Sequence, residues 1–137
     1  MAKILVVEDE QMIMDLISMV LGKNHELIHS PNGSQAVNMA KVSEPALILL
    51  DIMLPGLDGF SIQNKLYEDE ELKKIPIIMM TSKSQMEDVF KTSPNVVGFI
   101  AKPFSIKELE EKVNAVLNQA KWGERNYHEK AESLLDE

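Results

Sequence analysis

Residues 45–59 read PALILLDIMLPGLDG. Four apolar residues, Leu47 to Leu50, run straight into an acid, Asp51, and apolar residues resume at once with Ile52, Met53 and Leu54. The run Ala46–Leu50 is short, apolar and bounded by Pro45 and the Pro55-Gly56 turn, as expected of a strand buried on both faces. A carboxylate placed directly after such a run is costly unless something compensates its charge. The rest of the chain must supply that compensation.

Outward from this strand, the same alternation repeats. Ile4–Val7 (ILVV) is another short apolar run, and Gln11–Leu21 carries Ile13, Leu16, Ile17 and Val20 at helical spacing before Gly22 stops it. His25–Ser30 is a weak strand. Asn32 is a helix cap with Gln35 three residues on, and that helix ends by Pro45. Gly59–Glu68 is a third helix with Ile62 and Leu66 inward. Pro76 precedes the strand Ile77–Met80, and Gln85–Thr92 can hold a short helix closed by Pro94. Val96–Ala101 is the fifth strand. Ser105 and Glu108 form a capping box, opening a helix with Ile106, Leu109, Val113, Val116 and Leu117 on one face. Five strand-then-helix repeats with near-continuous apolar strands predict a doubly wound α/β fold, a five-stranded parallel sheet covered on both faces.

Composition narrows the functional classes. The chain has 137 residues, 45% of them apolar, and no cysteine, which fits one domain with a tail in a reducing compartment. Met1 leads directly into Ala2-Lys3-Ile4, and the apolar runs are too short to span a bilayer, so a cytoplasmic location and no membrane partner are expected. The net charge is −8 and Arg125 is the single arginine. Without a Lys/Arg cluster, direct contact with nucleic acid is not expected.

In doubly wound sheets, ligands sit beyond the carboxyl ends of the strands. Glu8, Asp9 and Glu10 follow strand one, Asp51 follows strand three, Thr81 and Ser82 follow strand four, and Lys102-Pro103 follows strand five. If those strands are neighbours, Glu8, Asp9 and Asp51 would repel one another in a half-buried site, so either protons or a cation would bind there. Carboxylates with water suit a small hard cation, Mg²⁺ above all, and the lack of cysteine and of histidine at these strand ends disfavours zinc. A carboxylate-held metal, the Thr81 hydroxyl and the Lys102 ammonium can together bind a phosphoryl group, with Asp51 as nucleophile forming an aspartyl phosphate.

The segments ILVVEDE, LILLDIMLPGLDG, IIMMTS and GFIAKPF, in this order and at strand ends, resemble the response-regulator receiver domains of two-component signalling, the CheY-like family. The resemblance covers about Ala2 to Gln119. It implies a flavodoxin-like (βα)5 fold with strand order 2-1-3-4-5, a receiver domain over residues 2–120 and a C-terminal tail over 121–137. It implies that Asp51 is the phosphoacceptor and that Glu8, Asp9, Asp51 and the Met53 main-chain carbonyl hold Mg²⁺. Thr81 would be the switch hydroxyl, Lys102 the lysine that contacts acceptor and phosphate, and Phe99 the aromatic switch. The Lys102–Pro103 bond would be cis. A sensor histidine kinase or phosphotransfer protein would be the donor. A downstream protein target or output domain would read the face made by the fourth helix, fifth strand and last helix, and a phosphorylation-dependent homodimer is a further possible output.

The sequence departs from the family pattern at three places. Glu8 stands where Asp is frequent, Phe99 stands where Tyr is frequent, and KTSPNVVGF replaces the small Gly-Ala pair before strand five. Three rival functions meet specific obstacles. A phosphohydrolase would place a second Asp at position 53, which is Met53. A nucleotide-binding domain would want glycines after strand one. A phosphate-independent receiver would not need the full set Glu8, Asp9, Asp51, Thr81 and Lys102. Outside the site, Met19, Met39, Met79 and Met80 are expected as core filler. His25 and His29 are expected on a polar edge strand. Asp58 and Gly59 are expected to serve the turn and the next helix start. Trp122, Tyr127, Ala131, Leu134 and Leu135 are spaced for one helical stripe in the tail, interrupted at its join by Gly123, which suits a helix extension, a dimerisation segment or a linker, with a frayed terminus an equal expectation.

Overall fold

The computed structural model describes residues 2–54, 59–81 and 93–118. Its strands are β1 (Lys3–Val7), β2 (Glu26–Ser30), β3 (Leu47–Asp51), β4 (Ile77–Thr81) and β5 (Val96–Ala101). Between them lie α1 (Gln11–Leu21), α2 (Ala36–Ser43) and α3 (Gly59–Glu68), and a C-terminal helix occupies 106–118. The sheet is five-stranded in the order β2-β1-β3-β4-β5, and every pairing is parallel. The doubly wound α/β fold is thus confirmed. The expected helix at 85–92, the Pro55-Gly56 turn with Asp58, and the tail stripe from Trp122 to Leu135 lie outside the described residues.

Side-chain alternation builds two cores from one sheet. Ile4, Val6, Leu47, Leu49, Ile78 and Met80 face α1 and the C-terminal helix, where Met14, Ile17, Leu109 and Val113 meet them. Leu5, Val7, Ile48, Leu50, Ile77 and Met79 face α2 and α3, against Ala36, Ala40, Ile62 and Leu66. Burial on both faces is why these strands show continuous apolar runs instead of alternation. Two expected core positions differ. Met19 is 55% exposed and Ile106 is 47% exposed. Met19 falls on the outer side of α1, and Ile106 belongs to the first turn of its helix, before the stripe reaches the sheet. Gln63 is an unforeseen member of the inner face of α3, buried beside Ile62 and Leu66.

Local signals set the element ends. Asn32 Oδ1 accepts the Gln35 N–H at 3.2 Å, but the first turn, Gly33–Gln35, is a 3₁₀ turn and α2 proper starts at Ala36. Lys3 Nζ donates to the Ser43 carbonyl at 3.0 Å, satisfying one of the last carbonyls of α2. The Glu108 N–H donates to Ser105 Oγ at 3.0 Å, the first half of the capping box. The Glu108 carboxylate lies 3.9 Å from Lys112 Nζ. β2 is an edge strand, as its polar content foretold. His25 Nδ1 accepts the Ala2 N–H, and His29 Nε2 bonds the Glu8 carbonyl, so the two imidazoles stitch β2 to β1.

Gly59 fixes where α3 begins. Its N–H donates to the Ile52 carbonyl at 2.9 Å. A Cβ there would stand 2.7 Å from Ile52 Cα and 3.0 Å from the Asp51 carbonyl oxygen. Both obstacles are backbone, so they cannot turn aside. Gly59→Ala is therefore expected to destabilise the fold by about 1–3 kcal/mol, the usual cost of overpacking. Urea unfolding of variant and wild type checks this, and an unchanged midpoint would show that the contact relaxes freely.

Candidate functional site

The register delivers the site. Val7 pairs with Leu50, so the next residues, Glu8 and Asp51, come to the same level at the carboxyl edge of adjacent strands. β1 and β3 flank the point where strand order reverses, the place where such sheets bind ligands. Asp51 pairs with Met80 and Thr81 pairs with Ala101, which brings the end of β4 and the residue after β5 alongside. Asp51 is the last residue of β3 and Thr81 the last of β4, each one residue further into its strand than the sequence suggests.

The expected residues converge. Lys102 Nζ donates to Asp51 Oδ2 at 3.0 Å and to Glu8 Oε2 at 2.9 Å. Asp51 Oδ1 accepts the Met53 N–H at 3.0 Å, and Glu8 Oε1 accepts the Glu10 N–H at 3.2 Å. One carboxylate oxygen each from Glu8, Asp9 and Asp51 lies within 4.8 Å of the others. Glu8, Asp51 and Thr81 are buried, whereas Asp9 is exposed, so the group opens to solvent on one side. The Thr81 carbonyl accepts the Lys102 N–H at 2.7 Å, which ties the start of the Lys102–Pro103 turn to the end of β4. The Lys102–Pro103 bond is cis, as expected. Phe99 lies in β5 opposite Met79 and is partly buried against the α2–α3 core.

Charge in this cluster is incompletely balanced. Burial, aided by the neighbouring Asp51 charge, pushes the Glu8 carboxyl up from 4.5 to about 7, although the Lys102 hydrogen bond opposes the rise. Burial would depress the Lys102 ammonium, but its bonds to Glu8 and Asp51 together outweigh this and hold it above its ordinary value. One ammonium faces three carboxylates, so the site retains room, in charge and in oxygen donors, for a hard cation. An all-oxygen donor set of this kind fits Mg²⁺. The backbone of Met53 lies against the Asp51 carboxylate, and its side chain is exposed.

Two features escaped the sequence. The resemblance implies that Lys102 contacts the acceptor, Asp51, and Lys102 in addition binds Glu8. Gly59 was assigned to a helix start, yet it is needed because α3 presses on the backbone of Asp51 and Ile52. A glycine, the poorest helix former after proline, inside the first turn of a helix is the available signal.

Comparison with known proteins agrees with this geometry. Residues 4–114 match the response regulator receiver domain family. PilH of Pseudomonas aeruginosa is 34% identical over 119 residues, which cover 85% of this chain and 98% of PilH. The alkaline phosphatase synthesis transcriptional regulatory protein PhoP of Bacillus subtilis is 34% identical over 120 residues, covering 86% of this chain but 49% of PhoP. Among solved structures, the chemotaxis response regulator CheY4 of Vibrio cholerae superposes with a TM-score of 0.78 at 25% identity, covering 85% of this chain and 98% of that one. The chain thus spans nearly all of some relatives and about half of others. With its strand order, its acidic cluster and its lysine in place, the chain belongs to the response regulator receiver domain family of two-component signalling.

Proposed function

We propose that Asp51 is the phosphoacceptor of a signalling switch that requires Mg²⁺. The observation that carries this reading is the placement of the Asp51 carboxylate, held by Lys102 and grouped with Glu8 and Asp9 at the open edge of the sheet. Glu8, Asp9 and Asp51, with the Met53 carbonyl, would hold the cation. When bound, it would neutralise phosphoryl oxygens and orient them for in-line attack. An Asp51 carboxylate oxygen attacks phosphorus, the bond from phosphorus to the donor nitrogen breaks, and the donor imidazole leaves with its electron pair. Lys102 binds a phosphoryl oxygen as charge passes onto the acceptor, and Thr81 binds another through its hydroxyl.

The donor would be a sensor histidine kinase or a phosphotransfer protein, and small acyl phosphates could serve as well. The chain assists its own phosphorylation and dephosphorylation and is not otherwise an enzyme. Phosphorylation would bias two conformations through Thr81 and Phe99, changing how the β5 face binds a protein target, an output domain or a second copy. Residues 2–120 would form the receiver, with 121–137 as a tail. Among the described residues no helix is long and apolar enough to cross a membrane, which accords with a cytoplasmic role.

Incubation with acetyl phosphate and Mg²⁺ should add the mass of one phosphoryl group to the intact protein, and Asp51→Asn should abolish the addition. No mass increase, with or without candidate kinases, would instead support a phosphate-independent interaction module.

Glu8 provides a pH test. In metal-free protein its folded-state carboxyl holds a proton up to about 7, whereas the unfolded chain releases it near 4.5. Between those values the folded state binds the extra proton, so this group's contribution to stability falls as pH rises and levels off above about 7. Glu8→Gln removes the titration. In EDTA the variant should therefore gain on wild type by on the order of 1 kcal/mol per pH unit between about pH 5 and 7. Excess Mg²⁺ should restore the wild type. A stability difference that does not vary with pH would refute the assigned proton.

A further inference from the structure

The segment KTSPNVVGF departs from the family pattern immediately before β5, and the structure shows what its asparagine does. Asn95 is 4% exposed and Gln63, on α3, is 2% exposed. Gln63 Nε2 donates to Asn95 Oδ1 at 2.8 Å, and Asn95 Nδ2 donates more weakly to the Gln63 carbonyl at 3.4 Å. The Asn95 carbonyl in turn accepts the Ile77 N–H at 2.8 Å. One residue therefore ties α3 to the first residues of both β4 and β5. Immediately after it, Ile77 pairs with Val96 but Ile78 pairs with Gly98, so the register shifts at Val97.

This pair is incompletely satisfied. Gln63 Oε1 is buried and has no hydrogen-bond partner among the described residues. Buried polar atoms are almost always bonded, and an exception calls for an explanation in strain, function or a bound water. Two apolar side chains of similar shape would fill the same space without leaving an acceptor unmet. Gain of stability is thus a poor reason for the pair. What an amide pair provides instead is directionality, one fixed setting of β5 on α3.

The position of α3 gives that setting a role. Its first residue, Gly59, is locked against the backbone of Asp51 and Ile52. Gln63 lies one turn later. Further along β5 lies Phe99, and Lys102 directly follows its last residue, Ala101. A displacement of the Asp51 segment must therefore move the start of α3, and Gln63 with it.

We propose that the Gln63–Asn95 pair is a relay with two settings, a positioning device that couples the Asp51 segment to the start of β5 through α3. It rests on the phosphoacceptor reading of Asp51. In the setting seen here the Gln63 Oε1 acceptor is unmet. In the other, reached when Asp51 carries a phosphoryl group, the amides rearrange so that Oε1 gains a donor, and the start of β5 is reset. Such a two-state element is what physical coupling between distant sites requires.

The test follows side-chain amides in the full chain by ¹H–¹⁵N spectra, with and without Mg²⁺ and beryllofluoride as the acyl-phosphate mimic. The Gln63 Nε2 and Asn95 Nδ2 resonances should shift together with the Thr81 and Lys102 backbone resonances. Shifts at Thr81 and Lys102 with both amides unmoved would overturn the relay and leave the phosphoacceptor reading intact. No shift at Thr81 or Lys102 would overturn both. The double variant Gln63→Met/Asn95→Leu supplies a second readout. It should keep the Thr81 and Lys102 response to beryllofluoride while the response at Val96 and Val97 falls at least twofold. An undiminished response at Val96 and Val97 would show that the pair is only structural.

Discussion

Lys102 Nζ sits about 3 Å from a carboxylate oxygen of each of two buried acids, Glu8 and Asp51. The site depends on this single bridging ammonium. Two carboxylates brought out of water side by side are tolerable only with compensating charge, because desolvation costs several kcal/mol per ion and like charges add to it. One ammonium compensates one carboxylate. The remainder appears as the rise of the Glu8 carboxyl to about 7. In its metal-free state the cluster is therefore short of positive charge, which a proton on Glu8 or a hard cation among the three carboxylates can supply. An Asp51 carboxylate held by Lys102, beside oxygen donors that suit a cation, is the arrangement the proposed phosphoryl transfer requires.

Such a cluster persists because the scaffold over-determines it. Each fully buried Leu, Ile or Val side chain stabilises the fold by about 1.5–3 kcal/mol. Ile4 to Val7 and Leu47 to Leu50 are all 0–1% exposed. The two strands that carry Glu8 and Asp51 are thus fully buried at the centre of the sheet, and a one-residue slip would exchange their side chains between the two cores and shift the acids along the sheet edge. Their burial outweighs the cost of the acids at their ends. The same logic explains how Lys102 is placed from the end of β5. Its N–H bond to Thr81 anchors its backbone to β4, so the side chain reaches inward across two strand ends from a fixed base.

Much of this was legible in the sequence because it depends on pattern. Apolar runs of four or five residues between amphipathic stretches fixed the number, type and parallel arrangement of the strands. Counting to the residue after each run found Glu8, Asp9, Asp51, Thr81 and Lys102. Pattern does not encode closeness of approach, and the omissions are of that kind. Nothing local distinguishes Gly59 as a spacer from Gly59 as a turn residue, because the obstacle is the backbone of Asp51 and Ile52. Gln63 looks like any surface polar residue between Ile62 and Asn64, and only the arrival of Asn95, 32 positions away, makes it a buried partner. Ile106 erred in the other direction, since periodicity counts a first-turn residue into a stripe that the sheet does not reach.

Satisfied and unsatisfied charge also separate the site from other hollows on the surface. A cleft of about 740 Å³ is lined by Lys41, Glu68, Asp69, Glu70 and Glu71. Its acids look like a ligand set until their partners are traced. The Asp69 carboxylate accepts the N–H groups of Glu71 and Leu72 at 2.9 and 3.1 Å, and those bonds lower its pKa. Glu70 is paired with Lys73 at 3.0 Å. These groups are already occupied in capping a 3₁₀ turn and in a surface ion pair. At Glu8 the direction is opposite, a carboxyl raised because burial exceeds what Lys102 returns. A raised acid next to a paired lysine holds free energy that a ligand can release, while a lowered acid has already released it. By that measure the carboxyl edge of the sheet, at Glu8 and Asp51, is the stronger candidate for chemistry.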